Sequence, residues 1–203
     1  TPPYIYNTML TNVGQITNKG IELSINFIPI QTKKFKWSSG VTASRNKNIL
    51  DSFTNEEFSD GTYKVGWAVG SAAFTQRLIE GESLGSFYGP VWLGIDENGS
   101  DILREQDENG SVPEESWEKI GNAYPDVVLG WSNLLTYKKF DLGFSCRASI
   151  GGDVLNQYAM LYENLGKIGL NNISSKWLEH TDFTSLNFRY SSKYIEDATF
   201  LKL

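Results

Sequence analysis

Few side chains in this sequence are of the kinds that make or break covalent bonds. The single histidine, His180, sits in the polar run Trp177-Leu178-Glu179-His180-Thr181-Asp182. A Ser-His-Asp relay would have to be built on it, because the imidazole takes the proton from the hydroxyl. Placed in a polar loop, it reads as an ordinary loop histidine. Carboxylates gather at Glu56, Glu57 and Asp60, and again at Glu105, Asp107, Glu108, Glu114, Glu115 and Glu118. A glycosidase needs two of them roughly 5–9 Å apart across a cleft. Nothing in the spacing pairs them, so they read as solvated loop faces. The tetrapeptide Asp-Glu-Asn-Gly occurs twice, at 96–99 and 107–110. Asp96, Asn98 and Ser100 have the spacing of the first oxygen ligands of a calcium loop. However, Gly99 stands at the fourth position where that loop needs glycine at the sixth, and Asp107 replaces the final Glu. Plain hairpin turns are the simpler reading, since Asn-Gly supplies the positive φ of a type I′ turn. No catalytic residue, metal site or cofactor is expected.

Two other features could touch a ligand or react. Aromatic faces bind sugars and peptides, and Phe87-Tyr88-Gly89-Pro90-Val91-Trp92 offers three: Phe87, Tyr88 and Trp92. Packing within a loop is the competing explanation. Cys146, the only cysteine, can form no intrachain disulfide and no Cys-based zinc site. It lies between Phe144 and Ala148 on an apolar strand face, where it serves as a small hydrophobic side chain.

The elements that carry these residues are strands. Ile21, Leu23, Ile25 and Phe27 alternate with Glu22, Ser24 and Asn26, and Phe35, Trp37, Val41 and Ala43 with Lys36, Ser38, Thr42 and Ser44. A period of two argues strand, and two such runs a turn apart argue a hairpin. A second pair follows at 127–136 and 140–150. In the latter, Phe140, Leu142, Phe144, Cys146, Ala148 and Ile150 face away from Asp141, Gly143, Ser145, Arg147 and Ser149. The expected strands lie near 20–29, 35–45, 127–136, 140–150 and 194–203. A small hairpin is expected within 91–112, and a helical turn from Pro113 to Lys119. Short lysine-bearing turns lie at one end of the hairpins, and long segments, 50–125 and 151–193, at the other. Outer-membrane barrels have that asymmetry, with strands apolar toward lipid and polar toward the lumen. A soluble β-sandwich also alternates, so pattern alone leaves both open.

Composition narrows the classes. The 203 residues are 13% aromatic, with 19 Gly and a formal charge of −6. An acidic chain with a pI near 4.9 lacks the clustered cations that nucleic acid requires. No apolar run approaches the roughly 18 residues of a membrane helix. Both ends read as cuts in a longer chain, so a missing leader says nothing of compartment.

Ordered stretches then carry a resemblance. They are Asn12-Val13-Gly14 with Asn18-Lys19-Gly20-Ile21-Glu22-Leu23; Glu80-Gly81-Glu82-Ser83-Leu84-Gly85-Ser86-Phe87-Tyr88-Gly89 with Gly94-Ile95-Asp96; Ile120-Gly121-Asn122-Ala123-Tyr124-Pro125; Tyr137-Lys138-Lys139-Phe140-Asp141-Leu142; Gly151-Gly152-Asp153; Lys176-Trp177; and Tyr194 to Leu203. In this order they resemble the late part of SusC/RagA proteins, TonB-linked outer-membrane receptors. The resemblance implies an all-β fold, antiparallel strands of a large transmembrane barrel of about 22 strands with long extracellular loops. It further implies import of oligosaccharides or peptides, a SusD-like surface lipoprotein as partner, and TonB acting through a plug and N-terminal extension that this chain does not contain. The expected home is the outer membrane of a Bacteroides-type bacterium, with the bilayer and the remaining barrel segments around the chain. Lumen-facing candidates are Glu22, Asn26, Lys36, Asp141 and Arg147, with Ser24, Thr42 and Ser145 on the same faces. A soluble β-rich module that binds surface glycans or peptides is the alternative.

Overall fold

The computed structural model describes residues 14–52, 62–68, 73–97, 100–162, 172, 175 and 189–203. In chain order its strands are β1 (Gln15–Gln31), β2 (Phe35–Ser52), β3 (Thr62–Trp67), β4 (Phe74–Ile79), β5 (Ser86–Gly89), β6 (Trp92–Ile95), β7 (Asp101–Leu103), β8 (Glu118–Asn122), β9 (Val127–Tyr137), β10 (Phe140–Ile150), β11 (Asp153–Leu155), β12 (Ile195–Asp197) and β13 (Phe200–Lys202). One short helix, α1 (Gln157–Tyr162), follows β11. No helix among the described residues is long and apolar enough to cross a membrane, which says nothing of strands.

The long strands form one antiparallel sheet in the order β1-β2-β9-β10-β13, here called the wall. β1 and β2 run several residues beyond the alternating stretches at 20–29 and 35–45. In the extensions Asn18 pairs with Asn48 and Lys19 with Lys47. Both faces there are polar, so the ladder continues where the period-two signal has faded. Between Phe27 and Ile30, β1 carries one more residue than β2 does between Ser39 and Trp37. This bulge takes up Pro29, which has no N–H to give the ladder, and puts Ile30 on the face of Trp37.

The long segments hold more structure than their sequence pattern suggests. A second sheet, β3-β4-β5-β8, lies within 50–125, and β6 pairs with β7 across the Asp96 turn. The turn after Pro113 is a 3-10 helix, Glu114–Ser116. The single strand expected over 194–203 is instead two strands in two sheets. β12 pairs with β11, and β13 with β10. Between them the Thr199 N–H donates to Asp197 Oδ1 at 2.8 Å, and the Gly151 N–H to Thr199 Oγ1 at 3.0 Å. This polar turn breaks the run.

The core lies in this loop layer. Ala68, Ala159, Met160, Tyr190 and Tyr194 are buried together, with Trp117, Ile120 and Leu155 against them. The wall has the opposite character. Ile21 is 78% exposed and Phe140 77%, and Leu142 and Leu201 are also open. Met160 is fully buried, so Met160→Ala should cost the loop layer about 2–5 kcal/mol. Limited proteolysis should then cut within 73–122 faster than in wild type, while the β9–β10 hairpin keeps its protection.

Candidate functional site

Directly opposed residues of an antiparallel pair project to the same side, so the ladder registers sort the wall into two faces. One face is made of rows: Phe35-Tyr137-Phe140, Trp37-Leu135-Leu142, Val41-Trp131-Cys146 and Ala43-Leu129-Ala148, with Ile30, Ile25 and Leu23 extending the last three onto β1. Leu201 extends the Ala148 row onto β13. The other face is made of Glu22-Ser44-Val128-Ser149, Ser24-Thr42-Gly130-Arg147, Asn26-Gly40-Ser132-Ser145, Ser38-Leu134-Gly143 and Lys36-Thr136-Asp141, polar but for Val128 and Leu134. Glu22, Asn26, Lys36, Asp141 and Arg147 thus share one side of the sheet.

Where all of β2, β9 and β10 pair, the apolar face has one polar interruption, Ser39 opposite Asn133 in the row of Phe27 and Phe144. Two indoles close over it. Trp37 Nε1–H donates to Asn133 Oδ1 and Trp131 Nε1–H to Ser39 Oγ, each at 2.9 Å. Trp131 also meets Phe144 edge-on at 5.7 Å. The two indole donors would otherwise lie unpaired on an apolar surface, at the desolvation cost of an unmade hydrogen bond. The interruption seen in the sequence at Asn133 is therefore the acceptor that this face needs.

Where the wall meets the loop layer, the family-like stretches converge on one junction. Buried Asn48 accepts from Ser83 Oγ–H and the Leu84 N–H through Oδ1, both at 2.9 Å. The Leu50 N–H donates to Glu82 O, and the Gly81 N–H to Leu50 O. Asp153 Oδ2 accepts the Asn122 N–H at 2.8 Å. Gly152, at φ +83°, lies so close to the Tyr124-Pro125 backbone that a Cβ there would sit 3.1 Å from it. A polar hollow of about 480 Å³ opens at this junction, with Arg45, Lys47, Lys119, Glu82, Asp126 and Asp153 on its lining.

Phe87 and Tyr88 are 6% and 8% exposed. Burial commits them to packing in this conformation and leaves Trp92 as the half-exposed ring of the three. Trp92 Nε1–H donates to Asp101 Oδ1, and Lys193 Nζ lies 5.5 Å from the ring centre. Arg77 sits between the Tyr88 and Trp117 rings, at 5.6 and 5.2 Å. Tyr88 donates its hydroxyl to Glu82 Oε1 at 2.5 Å, and Lys119 Nζ reaches Glu82 Oε2 at 2.9 Å. Burial pushes the Glu82 carboxyl up, but the hydrogen bonds from Tyr88 and Lys119 and the lysine's charge outweigh it and hold the group below its ordinary value.

The chemistry-bearing candidates come apart on inspection. His180, Glu56, Glu57, Asp60, Asn98 and Gly99 lie outside the described residues. Asp96 Oδ1 accepts the Ser100 N–H, and Asp107 Oδ1 the N–H groups of Asn109 and Ser111, so these carboxylates close their own turns. Among the described residues no three His, Cys, Asp or Glu side chains are grouped to hold a metal ion. The sequence reads as lacking the Gly-x-Ser-x-Gly spacing of a nucleophile elbow, but that is wrong: Gly81-Glu82-Ser83-Leu84-Gly85 has it. It lies in a turn between two strands, with the Ser83 hydroxyl spent on Asn48. The strand-to-helix bend that exposes such a serine is not there.

Comparison with known proteins places this architecture. No family model matches the chain. The chain is 30% identical to TonB-dependent receptor P3 of Formosa agariphila over 97% of its own length and 22% of the relative's. It is 32% identical to TonB-dependent receptor SusC of Bacteroides thetaiotaomicron over 97% of its length and 21% of that protein's. The chain belongs to the SusC/RagA type of TonB-dependent receptors. It spans about a fifth of the length of these relatives. The structure of the RagAB peptide transporter superposes on 95% of the chain with a TM-score of 0.71 at 21% identity, which establishes the shared fold. Superposition uses 22% of that larger chain.

Two outcomes test the junction. Asn48→Leu strands the Ser83 and Leu84 donors and should cost about 1–3 kcal/mol, read as a lower urea midpoint of the complete receptor. The Glu82 contacts hold fully above its ordinary pKa and are lost as pH falls through the lower folded value. Amide protection at Gly81–Leu84, relative to the intrinsic exchange rate at each pH, should therefore fall on acidification below the ordinary carboxylate range, and Glu82→Gln should abolish that dependence.

Proposed function

We propose that this chain forms part of the wall and surface loops of an outer-membrane transporter that imports oligosaccharides or peptides. The observation that carries this reading is the bare apolar face of the wall. Eleven residues of β10, Phe140–Ile150, extend about 33 Å at roughly 3.3 Å each. Tilted by about 40°, they span the roughly 25 Å apolar band of an outer-membrane barrel. In water this face would be costly, at roughly 25 cal/mol per Å² of apolar surface. Hydrocarbon removes that cost, and a closed barrel removes the two open sheet edges at β1 and β13.

On this reading the polar face lines the lumen. Glu22, Asn26, Lys36, Asp141 and Arg147 offer both signs of charge and several amide and hydroxyl groups to a hydrated solute. The loop layer, with Trp92 at its surface, lies on the extracellular side, because barrels place their long connections there and their short turns in the periplasm. A SusD-like lipoprotein would meet this layer, and TonB would act through parts of the receptor outside this chain. Relatives named as TonB-dependent receptors and a fold shared with a peptide transporter support the reading. A soluble binding module would instead need something to cover the apolar rows.

Sedimentation in detergent-free buffer distinguishes the two. Self-association or detergent dependence is expected, and a monodisperse monomer with its strand faces bare would sink the transporter reading. Within the complete receptor, Phe144→Arg, halfway along β10 on the apolar face, should weaken folding into lipid vesicles by about 2–4 kcal/mol, the cost of arginine near the bilayer midplane on the lipid face. Ser145→Arg, on the opposite face, should leave folding nearly unchanged and alter uptake instead.

A further inference from the structure

The charges of this molecule are segregated along the strands. The chain carries a net −6, yet its two short turns hold Lys33-Lys34 and Lys138-Lys139 with no acid in residues 31–40 or 134–140. The turns are joined, since the Lys138 N–H donates to Lys34 O at 2.9 Å. All four lysines are exposed, and no ion pair links them to another described residue. Asp141, the nearest acid in sequence, lies on the polar face in the row of Lys36 and Thr136.

Two details suggest that lysine here is more than a solubilising choice. First, Lys138 has a φ of +55°. Glycine or asparagine suits the first position of a two-residue hairpin turn better, so a less favourable residue stands where a cation is placed. Second, the row bordering the turns on the apolar face is wholly aromatic, Phe35-Tyr137-Phe140. Lys138 Nζ lies 5.3 Å from the Tyr137 ring centre. Aromatic rings mark the boundary between hydrocarbon and headgroups, which puts the four ammonium groups at phosphate depth.

We propose that Lys33, Lys34, Lys138 and Lys139 form one binding site for the phosphates of anionic phospholipid headgroups. The site anchors the turn end of the wall to the leaflet it faces. It rests on the membrane assignment above. Lysine suits the task because its compact charge on a flexible stem follows a mobile phosphate, while its methylenes lie along apolar surface.

The test uses the complete receptor in nanodiscs of phosphatidylcholine with a minor share of phosphatidylglycerol, with retained lipid read by native mass spectrometry. Wild type should retain phosphatidylglycerol preferentially. The K33Q/K34Q/K138Q/K139Q variant should lose that preference, by about fivefold for each lysine removed, and four Lys→Arg changes should keep it. A second quadruple variant, K33Q/K34Q/K138N/K139Q, whose asparagine tolerates positive φ, should lose it equally and guards against a turn defect. K19Q/R45Q/K47Q, at the far end of the wall, should leave the preference intact. A wild-type receptor that inserts but retains both lipids equally, or a quadruple variant that keeps the preference, overturns the site alone. A receptor that enters neither bilayer overturns the membrane assignment with it.

Discussion

The structure depends on one constraint: the backbone of the wall must satisfy its own hydrogen bonds within a surface that is apolar on one side. Inside hydrocarbon no water is available to N–H and C=O groups, and an open sheet edge there is not viable. A continuous antiparallel ladder meets the constraint strand by strand, and the pairing of β1, β2, β9, β10 and β13 is interrupted only by the β1–β2 bulges at Pro29 and, at the loop end, Asp51. The same requirement extends to side chains. Trp37 and Trp131 would be costly on that face without Asn133 and Ser39, which accept their indole N–H groups.

Once one face is given to hydrocarbon, the rest of the architecture is divided. The wall cannot use its apolar residues to hold the loops, because they point outward. The loops therefore carry a core of their own around Met160, Tyr190 and Tyr194, and a sheet of their own from β3, β4, β5 and β8. Wall and loops are joined by directed polar contacts at the junction. Asn48 holds the Ser83 turn, Asp153 holds the backbone before β9, and Gly152 lets the chain pass against Pro125. Buried polar contacts of this kind specify one arrangement when fully satisfied. They also account for the concentration of family-like stretches at this seam.

Charge follows the same division. Carboxylates crowd the loop layer, where several close their own turns, as Asp96 and Asp107 do. Lysines crowd the opposite end. The polar face between them carries isolated charges of both signs.

The sequence by itself determined the long strands, their faces and their pairing into two hairpins, because a side-chain period of two over ten residues needs only local geometry. Alternation set Glu22, Asn26 and Lys36 opposite the apolar residues of their hairpin and Asp141 and Arg147 opposite those of theirs, but only the β2–β9 register puts all five on one side. Only the tertiary structure decided the loop layer. Strands such as β5 (Ser86–Gly89) and β11 (Asp153–Leu155) are too short for a period to declare itself and form because partners distant in sequence offer them edges. The same holds for the break at Thr199, where a side-chain hydrogen bond outweighs an apolar run, and for Tyr88, which packs against Arg77 and bonds to Glu82. Nor could spacing reveal that Asn133 serves the Trp37 indole 96 residues away, because that contact exists only when β2 and β9 lie side by side.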